Sequence, residues 1–211
     1  MDKARLWLAI ASIAAGLPVF AAPAVVVDAV QAPAWVERGG QRVEVKAGDE
    51  VRAGDRLRTG EEGRLRLKLA EGSTVKLGKQ ASFGVEKAEA GGVFRATFTA
   101  TAGAFRFTTD PSRKGEGRDV EIKTLHVTAG VRGTDLWGKS TPEREFIVLI
   151  EGRISVGAAG QPPVTLSTPL DFYERTAAGA AGVKRLDPAT LAEYARETEM
   201  GTFAEVPRSI R

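Results

Sequence analysis

The stretch Arg64-Leu65-Arg66-Leu67-Lys68-Leu69 decides the fold. Successive side chains of an extended chain point to opposite faces, so this alternation sets three leucines on one face and three cations on the other. A helix would scatter the same residues around its circumference. The run therefore reads as a strand with one face in a core. Ala70-Glu71-Gly72-Ser73 supplies turn chemistry, and Thr74-Val75-Lys76-Leu77 resumes the alternation. The two runs read as a hairpin in which Lys76 is placed to extend the basic stripe of Arg64, Arg66 and Lys68.

Working outward, short alternating runs separated by turn residues continue from Val25 to about Val156. That spacing is expected of an all-β domain, either an antiparallel β-sandwich or a short β-solenoid-like stack. Further strands are expected at Gln41 to Val45, Val93 to Ala100, Ala104 to Thr108, Val120 to Val127 and Phe146 to Ile150, with Ile154 to Val156 after a Glu151-Gly152 turn. His126 then reads as an ordinary strand residue, and Gly138-Lys139-Ser140 as a turn. Gly48-Asp49 and Gly54-Asp55 repeat one turn chemistry six residues apart, and no lysine has the setting that a biotinyl or lipoyl carrier requires. Asp110 to Asp119 is polar and charged, and reads as a surface loop. Residues 158–211 form an Ala/Gly/Pro-rich extension with a short helix expected near 187–200, where Asp187 stands as N-cap and Pro188 at the first helical position.

Composition narrows the function. The 211 residues carry 30 Lys plus Arg against 27 Asp plus Glu, a net charge of +3 that gives no reason to expect nucleic-acid binding. There is no cysteine and one histidine, which excludes disulfides, thiolate zinc sites, cysteine nucleophiles and multi-histidine metal centres. Asp135, Glu143, Glu145 and Glu151 lie close in sequence, but turn or solvent-facing strand positions account for each, and no phosphate-loop string occurs. The chain reads as no enzyme, with no cofactor and no metal.

The first residues are read separately. Met1-Asp2-Lys3-Ala4-Arg5 is a short basic segment, and an uncharged run from Leu6 follows, broken by Gly16, Pro18 and Pro23 and ending in small residues. Residues 1–21 read as a secretory signal, cut after Ala21 or Ala24, leaving a periplasmic protein with no membrane span.

A family resemblance rests on several elements in order. Ala47-Gly48-Asp49-Glu50-Val51, Gly54 to Gly60 and Gly63 to Ser73 look like the first half of a FecR-type periplasmic domain. Gly103-Ala104-Phe105-Arg106-Phe107, Val131-Arg132-Gly133-Thr134-Asp135-Leu136 and Val148 to Val156 are similar to its second half, so the resemblance spans roughly residues 40–157 of an all-β unit placed at 25–157. It implies a domain that works by contact, as in members that relay a transporter's state to an anti-sigma segment. Only five residues precede the apolar run here, so the expectation is a free-standing regulatory or interaction module of the cell envelope with an envelope protein as partner.

Two surfaces are candidates. Arg132, Gly133, Thr134 and Trp137 form the candidate partner contact. The plain structural reading has Gly133 supplying a positive φ, Thr134 capping a backbone group, Arg132 pairing with a carboxylate, and Trp137, like Trp35, in the core. The stripe of Arg64, Arg66, Lys68 and Lys76 is the second, for an anionic envelope glycan or lipopolysaccharide, against the plain reading of a solvated strand face.

Overall fold

The computed structural model describes residues 22–113, 117–158 and 160–201. The expected signal at 1–21 and the last ten residues lie outside them.

The chain is mostly strand with one short helix. In order the strands are β1 (Val25–Gln31), β2 (Ala34–Arg38), β3 (Gln41–Glu44), β4 (Glu50–Val51), β5 (Arg56–Thr59), β6 (Arg64–Leu69), β7 (Thr74–Leu77), β8 (Ser82–Glu89) and β9 (Phe94–Thr108). After a 3-10 turn at Pro111–Arg113 come β10 (Arg118–Lys123), β11 (Val127–Val131), β12 (Asp135–Ser140), β13 (Arg144–Glu151), β14 (Ile154–Ala158), β15 (Val164–Leu166), β16 (Asp171–Thr176) and β17 (Gly179–Arg185), then α1 (Pro188–Arg196).

The strands form one continuous sheet folded into two ladders. One runs β4-β1-β6-β7-β9-β12-β13-β16-β17 and the other β3-β2-β5-β8-β9-β10-β11-β14-β15, each nearly in chain order. The chain passes back and forth between the ladders as it advances, which gives a sandwich cross-section with a solenoid-like progression. Between them lies one core that includes Leu57, Phe83 and Phe98 from one ladder and Leu65, Leu67 and Phe107 from the other. The leucines of the β6 stripe are essentially inaccessible, as their alternation requires.

β9 joins the two ladders. Its first part pairs with β8 and β10, and its last part with β7 and β12. The change of ladder occurs at Gly103, whose φ is +78° and where a Cβ would lie 2.6 Å from Ala81 Cα. Only glycine meets both demands.

Several expectations are corrected. The two strands expected at Val93–Ala100 and Ala104–Thr108 are, but for Val93, parts of the single strand β9. The ladders are not wholly antiparallel, because β9 and β10 run parallel, with Val120 opposite Ala96 and Asp119 opposite Arg95. The run Val120 to Val127 is not one strand: a turn at Thr124-Leu125-His126 separates β10 from β11. Gly138-Lys139-Ser140 is the end of β12. Within 158–211, β15–β17 extend the ladders, and α1 begins as its cap residues require, with Asp187 Oδ2 accepting from Thr190 N at 3.0 Å.

The Gly-Asp turns build one device twice. Asp49 Oδ2 accepts from Lys46 N at 2.7 Å and Asp55 Oδ2 from Arg52 N at 2.7 Å, each carboxylate closing the turn that precedes it. Asp55 also receives a two-pronged contact from Arg38, through Nε at 2.7 Å and Nη2 at 2.6 Å. Burial opposes its ionisation, but the Arg38 fork and the Arg52 amide outweigh burial and hold its carboxyl below the usual range.

Candidate functional site

The sequence proposes two surfaces, and their physical states differ. The stripe of Arg64, Arg66 and Lys68 lies on the outer face of β6, and Lys76 on β7 stands opposite Arg66. Register carries the row onward, since Lys76 faces Arg106 and Arg106 faces Trp137. This row is largely compensated. Asp28 binds Arg66, Asp135 binds Arg106 through Nε at 3.0 Å and Nη2 at 2.6 Å, and Glu199 reaches Lys76 at 2.6 Å and Arg106 at 3.4 Å. Burial works against the Arg106 charge, but Asp135 and Glu199 together raise its pKa above the ordinary value.

The acids come from the segment after α1. Leu191 packs in an outer-face cluster with Ala104, Trp137, Phe146, Val148 and Phe172, and Tyr194 stacks on Trp137 with centroids 5.0 Å apart. Beyond the helix, Glu197 binds Lys139 at 2.8 Å and Glu199 binds Lys76. The C-terminal segment thus closes over this face with both apolar and ionic contacts.

The Arg132 turn is the second surface. Gly133 has a φ of +63° with open space where a Cβ would be, so conformation and not crowding requires glycine. Thr134 is buried, donating from Oγ1 to Arg153 O at 3.0 Å and from its backbone N–H to Thr109 Oγ1 at 3.0 Å. Trp137 is 1% exposed, so as folded it offers a partner no surface. Of the four candidate contact residues, Arg132 is exposed and Gly133 half-buried. Arg132 has no ion-pair partner among the described residues, contrary to the pairing expected for it.

Register sets Arg132 in a row the sequence does not disclose. Val120 faces Val131 and Val131 faces Ile154, while Asp119 faces Arg95. One step toward the same end of the ladder, Arg95, Asp119, Arg132 and Arg153 stand on or just beyond four neighbouring strands. Arg118, at the start of β10, lies on the inner side of this end and is 8% exposed. Two cavities open here, of about 580 Å³ along Val93, Arg95, Arg118 and Arg132 and about 340 Å³ along Arg132, Arg153 and Thr165, with Asp119 lining both.

The grouped carboxylates are also corrected. Asp135 and Glu145 do not face solvent, being 6% and 3% exposed. Asp135 is the partner of Arg106. Glu145 accepts from Thr124 Oγ1 and from His126 N at 2.8 Å, and lies 3.1 Å from His126 Nδ1, so both carboxylates have structural bonds. Among the described residues, no cluster of three or more His, Cys, Asp or Glu could hold a metal ion, and no helix is long and apolar enough to cross a membrane.

The geometry can be set beside known proteins. Two crystal structures of a candidate anti-sigma factor from Parabacteroides distasonis ATCC 8503 share the fold, each with a TM-score of 0.53 and 15% sequence identity over 63% of this chain. The match spans 60% of the length of that chain. No curated protein matches. The sequence profile of the FecR protein family matches residues 55–155, which run from the second Gly-Asp turn through the Arg132 turn into β14. Residues 55–155 are a FecR-type domain.

Proposed function

We propose that the chain is an exported periplasmic module that regulates by docking a protein of the cell envelope at the Arg132 end of the sandwich, and not by catalysis. The observation that carries the reading is the FecR-type domain at residues 55–155. Fold alone does not transfer a role, but the sequence match and a similar fold in a candidate anti-sigma factor favour signalling by contact. The Arg132-Gly133 turn lies within the matched region and is accessible, whereas the outer face around Trp137 is covered by α1. The basic stripe ranks lower as a contact, because Asp28 and Glu199 occupy Arg66 and Lys76.

The test has two arms. Protein recovered from the periplasm should begin at Ala22 or Val25 on N-terminal sequencing; recovery with Met1 in the cytoplasm overturns export. A photo-crosslinking amino acid at position 132 should give an adduct with one envelope protein that the same probe at Lys184, exposed on β17, does not give. Identical adduct patterns from both positions, or none from 132, overturn docking at this end.

A further inference from the structure

We propose that Arg95, Arg118, Arg132 and Arg153 form a binding site for a phosphate monoester. The first ground is an unsatisfied buried cation. Arg118 is more than nine-tenths buried and lines the larger cavity; its Nη2 donates to Arg113 O at 2.7 Å, but its Nε and Nη1 have no hydrogen-bond partner among the described residues. A guanidinium stays charged at any physiological pH, and leaving its donors unpaired away from water is costly, so the fold holds these groups ready for an acceptor.

The second ground is convergence. Arg95 and Arg132 line the same cavity as Arg118, and Arg132 and Arg153 line the adjoining one. None of the four has an ion-pair partner among the described residues, while Asp119 is the one carboxylate lining both cavities. Two other arginines are closely paired, Arg38 with Asp55 and Arg106 with Asp135.

Charge and size select the ligand. Four arginines against one aspartate suit a group of more than one negative charge, and a phosphate monoester carries about −1.5 to −2 near neutral pH. Guanidinium forks match its oxygens in pairs, which an ammonium cannot do. About 580 Å³ exceeds what a bare phosphate fills, leaving room for the group esterified to it. Val93, 38% exposed on the rim, provides an apolar contact for that group.

The inference shares the Arg132 end with the docking reading but does not require a protein partner. The purified mature protein should be titrated with inorganic phosphate at low ionic strength, against chloride at matched ionic strength. Saturable phosphate binding that falls at least tenfold in Arg132→Gln and in Arg118→Gln, but stays within twofold in Arg185→Gln on β17, is the expected result. If Arg118→Gln does not fold, Arg132→Gln with Arg153→Gln carries the test. Vesicles containing phosphatidic acid, compared with phosphatidylcholine alone, separate the sources. Co-sedimentation released by free phosphate assigns a lipid headgroup, and its absence beside phosphate binding assigns a soluble phosphate. Equal responses to phosphate and chloride, or unchanged phosphate binding in the Arg132 variant, overturn the site. The titration contains no partner protein, so its failure leaves the docking reading standing, and a missing photo-adduct leaves this site standing.

Discussion

Asp55→Asn should destabilise the protein by about 2 kcal/mol, in a manner that pH reveals. The carboxylate receives two short bonds from Arg38 and one from the Arg52 amide, and it is 2% exposed. Asparagine keeps the shape but replaces one acceptor oxygen with an NH₂, which faces a guanidinium that can only donate. One charge-assisted bond is lost outright, at about 1.5–3 kcal/mol. Arg38 is about two-fifths exposed and regains water, which places the cost toward the lower part of that range. In a chain of this size such a loss lowers Tm by about 4–8 °C.

The pH dependence follows from the depressed Asp55 pKa. A carboxyl held below its unfolded value stabilises the folded state fully above the unfolded value, near about 4, and this contribution disappears as pH falls through the folded value. The difference between wild type and Asp55→Asn, measured by urea denaturation, should therefore be complete at pH 6 and shrink steadily below pH 4. Pairing the substitution with Arg38→Met should show coupling of more than about 0.5 kcal/mol at pH 6. A difference that is the same at pH 6 and pH 3, or a loss below 0.5 kcal/mol at pH 6, would refute the argument.

The other predictions concern backbone and packing. Gly133→Ala should cost about 1 kcal/mol by chemical denaturation, from φ strain alone, because its surroundings are open. Gly103→Ala, which adds a 2.6 Å contact with Ala81 to a positive φ, should cost at least twice as much, and equal losses at the two positions would contradict the assignment of the β9 bend. Tyr194→Ala removes the ring stacked on Trp137 and should make the tryptophan emission shift to longer wavelength as the indole gains water; unchanged emission would mean that α1 does not shield it. Glu199→Gln weakens contacts to Lys76 and Arg106 that are partly exposed, and should change stability by less than about 1 kcal/mol, an effect that shrinks further with added salt.

The strands were legible wherever one face met water. β6 and β7 alternate leucine or valine with cations because the outer side of that hairpin is accessible enough for charge. β12 failed the same reading: nearly all its residues are buried, since α1 covers the face that Trp137 presents, so no alternation is visible. The reverse error arose at Thr124-Leu125-His126, where alternation continues through a turn that Glu145 holds from a distant strand. Asp135 and Glu145 looked solvent-facing for a related cause, because their partners Arg106 and Thr124 lie 29 and 21 residues away. Gly103 looked like a break between two strands, and only the closeness of Ala81 shows that it bends one strand from ladder to ladder. Arg132 could be singled out from its motif, whereas Arg95 and Arg153 join it through the parallel β9–β10 pairing and the β11–β14 pairing, which no local signal encodes.

Charge compensation separates the two basic surfaces more sharply than charge itself does. Around Lys76, Arg106 and Lys139 the chain brings Asp135, Glu197 and Glu199 to the cations, and α1 excludes water from the aromatic residues between them. A helix of 9 residues has little stability alone, so its place there reflects the stack on Trp137 and the flanking acids. An external anion at that face would have to displace acids held at an effective concentration no dilute ligand matches. At the Arg132 end no such segment arrives among the described residues: Asp119 alone faces three arginines of the transverse row, and Arg118 keeps two donors unfilled beneath it. A ligand binding there competes with no acid brought in by the C-terminal segment, which is the ground for proposing this end, and not the more conspicuous leucine-backed stripe, as the anion site.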